Sequence, residues 1–297
     1  MTEFWSFEDS TYDAIRNYVT TDWNYAPDET IYILDNMLLS KLAKVAREHP
    51  SAFIEMADYF VEEQAVFLIP DIIFEESAKS KHTDSERYAS WYLDFFKRMS
   101  QACKVIRIDF HTTYQIMIDG VTNIETGFSK FKLIAKETVR MNPDLSEQVN
   151  AATSVDEIKE AFYSVSKDCG ERVVHLLACA LLLNGAQSVT VLSDEEAGVF
   201  IVRQMYARNE RLLQLLYMQD KYVFLSSYLL YSFDRLLYNV LIKRKQEDVL
   251  DFLNTVRDSR DQTRYVRIIF GDESDRSQLD NSQFTDMIFD DKAKITF

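Results

Sequence analysis

The chain has 297 residues with 33 basic and 48 acidic side chains, a formal net charge of −15, 47% hydrophobic and 13% aromatic content. With only 6 glycines and 4 prolines, collagen-like, low-complexity and turn-dense all-β architectures are excluded, and a helix-rich globular protein is expected. Strong acidity disfavours non-specific binding to nucleic acid, so any such role needs local basic patches or bound cations.

The first ten residues are acidic and aromatic, without a basic start or an apolar core, so no secretion signal is expected there. Next comes a β-like run at 31–34, followed by Leu38, Leu42 and Val45 at helical spacing and a helix end near His49-Pro50. Further β-like runs occur at 66–69, 104–108, 188–192 and 222–225. Strands alternating with helices imply crossover connections, hence a mainly parallel sheet with helices on both faces.

Between the third and fourth runs, 112–167 is too long for a simple crossover. Its patterns (Phe128, Phe131, Ala135, Thr138; then Ile158, Ala161, Phe162, Val165) predict a helix-rich insertion. An almost wholly apolar helix follows over 171–183, closed by Asn184-Gly185, and such a helix is buried. It is too short to span a bilayer, for which roughly 20 residues are needed. After the fifth run, Leu229, Leu230, Phe233, Leu236, Leu237 and Val240 predict an amphipathic helix, and Val249, Phe252, Leu253 and Val256 another. The expected organisation is one α/β domain over 1–270 and an acidic, flexible tail over 271–297. Cys103, Cys169 and Cys179 form no CxxC pair, which points to reduced core thiols in a cytoplasmic protein.

Acidic residues fall where an open α/β sheet binds ligands, beyond the carboxyl ends of its strands. Asp35 follows the first run, Glu75 and Glu76 lie one turn past the second, and Asp194 and Glu195 follow the fourth. Glu171 opens the helix that returns to the same edge. Four converging carboxylates repel one another, and a divalent cation relieves the repulsion. All-oxygen ligation suits Mg²⁺ or Mn²⁺, and the matching chemistry is phosphodiester hydrolysis.

With these residues in place, the chain resembles the PIN domain family. "YILDNMLLSKL" is similar to that family's opening strand with its first aspartate at Asp35, and "FLIPDIIFEES" to the second strand and its glutamate, aligning on Glu76. "CGERVVHLLACALLLNGAQSVTVLSDEEAG" resembles the third and fourth acidic positions, Glu171 and Asp194, and "KYVFLSSYLL" the closing strand. The resemblance implies a three-layer α/β/α sandwich with a five-stranded parallel sheet of order 3-2-1-4-5. It also implies a metal-dependent ribonuclease in which Asp35, Glu76, Glu171 and Asp194 hold Mg²⁺ or Mn²⁺. One position departs: Met37 stands where the family places a small polar residue, with Asn36 beside it. That departure motivates the alternative of a catalytically weakened interaction module, binding a protein partner through the insertion or tail, or forming a homo-oligomer.

Asn36, Ser193, Glu195 and His175 are candidates for supporting the acids. His49, His82 and His111 are scattered without HxxxH or HExxH spacing, which excludes the usual zinc sites. For RNA contact the candidates are Lys132, Lys136 and Arg140, a basic stripe at i, i+4 and i+8, and the run Lys243, Arg244, Lys245. No GxxxxGK[ST], GxGxxG or GxSxG motif occurs.

Overall fold

The computed structural model describes residues 13–26, 28–81, 85–121, 123–164, 168–270, 273–290 and 293–297. The first ten residues, His82 and Val165, each used in the sequence reading, lie outside them, as do Asp272 and Asp291 of the expected tail.

The central sheet is built from β1 (Thr30–Leu34), β2 (Ala65–Pro70), β3 (Lys104–Ile108), β4 (Val189–Leu192) and β5 (Tyr228–Tyr231). All pairings are parallel and the order is β3-β2-β1-β4-β5, as the resemblance implies. β2 and β4 are buried along their whole length, which matches their unbroken apolar sequences and the two helical layers of the α/β/α sandwich.

In one layer, α1 (Asn36–Glu48), α2 (Pro50–Glu62), α3 (Asp71–Lys81) and α4 (Ser85–Ala102) carry the chain from β1 to β3, with α1 packed on α2 and α4. Between β3 and β4 lie α5 (Phe110–Ile118), α6 (Ile124–Thr138), α7 (Pro143–Ala151), α8 (Val155–Ser164) and α9 (Cys169–Leu183). The predicted insertion is therefore helical. α9 is buried along nearly its whole length and packs on α5, α6 and α8. Cys103, Cys169 and Cys179 are buried free thiols. Among the described residues, no helix is long and apolar enough to cross a membrane.

Two expectations fail here. The run at 222–225 is not a strand: after α10 (Val202–Tyr206) and α11 (Glu210–Leu215), it lies in α12 (Lys221–Ser227). Asp220 starts that helix by accepting hydrogen bonds from the backbone of Tyr222 (2.7 Å) and Val223 (3.0 Å), a local cap that outweighs a four-residue β-like run. The true fifth strand contains Leu229 and Leu230, so α13 (Phe233–Leu241) begins later than their helical spacing suggests, capped by Ser232.

The expected flexible tail is folded. Beyond α14 (Gln246–Val256) and α15 (Ser259–Gln262), an antiparallel sheet of order β7-β6-β8 forms from β6 (Tyr265–Phe270), β7 (Glu273–Gln278) and β8 (Ala293–Ile295). α16 (Asn281–Ile288) lies between the last two, opened by a capping box between Asp280 and Gln283. Acidic composition hid an apolar face made by Val266, Ile268, Phe284, Ile288, Ile295 and Phe297, all buried. The segment is locked to the main sheet's helices by Arg257, which is 1% exposed. Its guanidinium pairs with Asp234 (2.8 Å) and donates to Leu279 O (2.6 Å) and Asn281 Oδ1 (3.1 Å).

Candidate active site at the carboxyl edge of the sheet

The strand ladder continues past the ends of β1 and β4, with Asp35 N–H donating to Leu192 O (3.0 Å) and Ser193 N–H to Tyr231 O (3.0 Å). Asp35 and Ser193 are thereby fixed side by side. Asp35 caps α1, its Oδ1 accepting from Asn36 N (2.7 Å), while Ser193 Oγ donates to its Oδ2 (2.7 Å). The same Ser193 hydroxyl accepts from Glu195 N (3.0 Å), so one serine positions both acids. Asp35 is 4% exposed. Burial raises its carboxyl to about 6, the bonds from Ser193 and Asn36 oppose the rise, and the charges of Glu195 and Asp194 add to it.

Glu171, in the first turn of α9, is raised to about 7, chiefly by burial and further by Asp35, Asp168 and Glu195. Gly198 brings the two glutamates together: a Cβ there would meet Glu171 Cγ at 3.1 Å and Glu195 Cγ at 3.2 Å. Glu76 reaches the same helix end. The residue before α9, Asp168, sits at φ +60° and its side chain caps nothing, so Glu76 Oε1 accepts from Gly170 N (2.9 Å) instead. A Cβ on residue 170 would lie 2.5 Å from Glu76 Oε2, so a larger residue there displaces the carboxylate.

Asp194 behaves differently from the expected fourth ligand. Its Oδ2 is ion-paired with Lys41 Nζ (2.7 Å) and with Arg264, and its Oδ1 accepts from Phe233 N (2.8 Å). Burial works against its charge, but Lys41 and Arg264 overcome it and hold the carboxyl below the usual carboxylate range. Lys41 is shared with Asp261. Glu195, expected only to support the site, is the residue whose charge acts on both Asp35 and Glu171. Period-two alternation could have flagged this: in extended chain Ser193 and Glu195 fall on one side and Asp194 on the other. Lys41, expected only to turn away from the apolar face of its helix, and Arg264 carry no local signal, because their partner is distant in the chain.

His175 is buried, with Nδ1 2.5 Å from Tyr228 Oη and Nε2 3.0 Å from Gly198 O. Burial pushes its pKa down to about 4, so at neutral pH the imidazole is uncharged, donating through Nε2 and accepting at Nδ1. It fixes the backbone of Gly198, behind Glu171 and Glu195. Asn36 Oδ1 is buried and has no hydrogen-bond partner among the described residues, and Met37 is 43% exposed.

The basic candidates are largely engaged within the fold. Lys132 donates to Ala152 O (2.6 Å), Lys136 to Asn150 Oδ1 (2.8 Å), and Arg140 lies 3.8 Å from Glu137. Lys243 pairs with Glu62 (2.8 Å), Arg244 with Glu55, and Lys245 stands at the N-cap of α14.

Among the described residues no three His, Cys, Asp or Glu side chains stand ready-assembled around a metal position. The donor chemistry nevertheless fits a hard cation. Asp35 and Glu171 are raised by burial and further by the charge of Glu195, and the neighbour of Asp35 in the chain, Asn36, carries a buried oxygen without a partner among the described residues. Asp194, already neutralised by two cations, does not fit. Comparisons with protein-family models, curated proteins and solved structures return no match for this chain.

Proposed function

We propose that this chain is a PIN-like, divalent-cation-dependent endoribonuclease whose working acids are Asp35, Glu171 and Glu195, with Glu76 alongside. The observation that carries the reading is the electrostatic cluster of Asp35, Glu171 and Glu195 at the carboxyl edge of a 3-2-1-4-5 parallel sheet, where Asp35 and Glu171 are pushed up to about 6 and 7. Asp35, Glu171 and Glu195 would hold Mg²⁺ or Mn²⁺, with Asn36 Oδ1 as a neutral donor. The cation supplies neutralisation of charge on the phosphodiester and a lowered pKa for the attacking water. Ser193 keeps Asp35 oriented through its 2.7 Å hydrogen bond, so the acid enters the reaction in one rotamer. Glu171 holds a proton near neutrality when the cluster is uncompensated and is poised to exchange it with solvent. With RNA as substrate and three reduced thiols in the core, a cytoplasmic setting belongs to this reading.

A second reading, a weakened PIN-fold interaction module, is favoured by one specific observation. The family's fourth acidic position, aligned on Asp194, is consumed by Lys41 and Arg264. A labelled RNA pool incubated with Mn²⁺ or EDTA decides between them. The nuclease reading expects Mn²⁺-dependent cleavage that Asp35→Asn abolishes. Intact RNA under all conditions leaves the module.

A further inference from the structure

A second feature, apart from the carboxylate edge, lies where the end of α6 meets the turn between α10 and α11. A cavity of about 620 Å³ opens there, lined by Lys136, Arg140, Arg208 and Arg211 against only Glu137 and Glu210. That volume is within the range of ligand pockets, roughly 300–1,000 Å³. In a protein of net charge −15, the lining carries four cations and two carboxylates, 4 − 2 = +2.

The charges are only partly neutralised. Glu137 is 4% exposed, and its carboxylate is held by Asn209 Nδ2 (3.0 Å) and Arg211 Nε (3.2 Å), with Arg140 at 3.8 Å. One carboxylate therefore draws two guanidiniums to the cavity, whose side chains remain 67% exposed for Arg140 and 57% for Arg211. Lys136 is tied to the neutral amide of Asn150, which fixes the ammonium without cancelling it. Arg208 is exposed and has no side-chain partner among the described residues. Two exposed guanidiniums and two further cations around one cavity match the charge and donor chemistry that phosphate oxygens take.

We infer that this cavity is a phosphate-binding site, taking a phosphate-bearing anion either free or as part of an RNA backbone. The cavity is also coupled to the carboxylate edge through packing. Tyr206 donates to the carbonyl of Thr138, next to Glu137, and its ring meets that of His175 edge-on at 5.0 Å. The RNA arm rests on the ribonuclease reading, whereas the free-anion arm does not.

The test uses the full chain in EDTA, so that binding is read without turnover. Pyrophosphate is titrated by calorimetry, and a short fluorescein-labelled oligouridylate by anisotropy over a series of salt concentrations. The main variant is Lys136→Gln with Arg208→Gln, which leaves the pairs of Glu137 intact; Lys97→Gln with Lys294→Gln, two exposed lysines away from the cavity, is the control. The site predicts that the main variant weakens binding about tenfold or more, while the control binds as wild type. If the strand is the ligand, the slope of log affinity against log salt falls by roughly 0.7 per lost contact. If pyrophosphate alone binds and is lost in the variant, the cavity takes a small phosphate ligand. Wild-type affinity in the main variant, or no binding of either probe, overturns the proposal. Absence of Mn²⁺-dependent cleavage together with variant-sensitive binding in EDTA would sink the ribonuclease reading and leave the cavity standing.

Discussion

Asp35 and Asp194 are each 4% exposed and follow neighbouring strands, yet substitution should affect them in opposite ways. Asp194 is the counter-ion of Lys41 and Arg264, so Asp194→Asn leaves the half-buried Arg264 without a carboxylate. Lys41 keeps Asp261, which puts the expected loss at the low end of a broken buried pair, about 3 kcal/mol in urea unfolding. Asp35→Asn removes a desolvated charge from a repelling cluster and should leave the metal-free protein as stable or more so, while abolishing the Mn²⁺-induced rise in melting temperature. Equal losses for both variants would contradict this division of roles. The pH dependence follows the same logic. Asp35 and Glu171 have raised folded values, so between about pH 4 and 7 the folded state binds more protons, and stability falls as pH rises through that window. His175, pushed down to about 4, acts oppositely, costing stability as pH falls below its ordinary value near 6.5. The difference between Asp35→Asn and wild type isolates the aspartate. The variant should gain on the order of 2 kcal/mol relative to wild type between pH 4 and 7 in EDTA, and a flat difference would remove Asp35 from the repelling cluster.

At the level of elements, the end of α9 is held by a carboxylate from another helix, since Asp168 makes no cap of its own and Glu76 serves Gly170 N. Gly170→Ala places a Cβ on the Glu76 carboxylate. Alanine's helix preference of about 1 kcal/mol offsets part of the disruption. The expected result is a small change in thermal midpoint with a loss of Mn²⁺ stabilisation and cleavage; unchanged cation response would place Glu76 outside the site. Four of the five strands and the insertion's helices were legible because their signals are local: unbroken apolar runs for β1 to β4, helical spacing for α6 and α8. The fifth strand was displaced because two apolar runs lie in tandem, and only the Asp220 cap and pairing with β4 decide which is extended. Asp35 and Glu171 were legible as residues that follow a strand or open a helix. The pairing of Asp194 with Lys41 and Arg264 was not, because it depends on where those two cations arrive in three dimensions.

On the scale of the whole molecule, the residues after Val256 are part of the architecture. Arg264 reaches Asp194, Arg267 and Arg276 both hold Glu196, and Arg235 donates to Ile295 O. The Glu196 pairs tie the small antiparallel sheet to the residue immediately after Glu195, and Arg235 ties its last strand to α13. Deleting 271–297 would strip Arg257 of Leu279 O and Asn281 and remove the buried Phe284, Ile288, Ile295 and Phe297, so the truncated chain should unfold at much lower urea concentration or fail to accumulate folded. The milder Asn281→Ala should cost about 1–2 kcal/mol. A truncated chain with wild-type stability would show the segment to be dispensable. The central claim, that the acids at the sheet edge form a cation site, is tested most directly by anomalous diffraction from crystals soaked in Mn²⁺. The account predicts a Mn²⁺ peak bounded by Asp35, Glu171 and Glu195, with Asp194 still paired to Lys41 and Arg264. No peak at saturating Mn²⁺, or a peak ligated by Asp194 with Lys41 displaced, would contradict it.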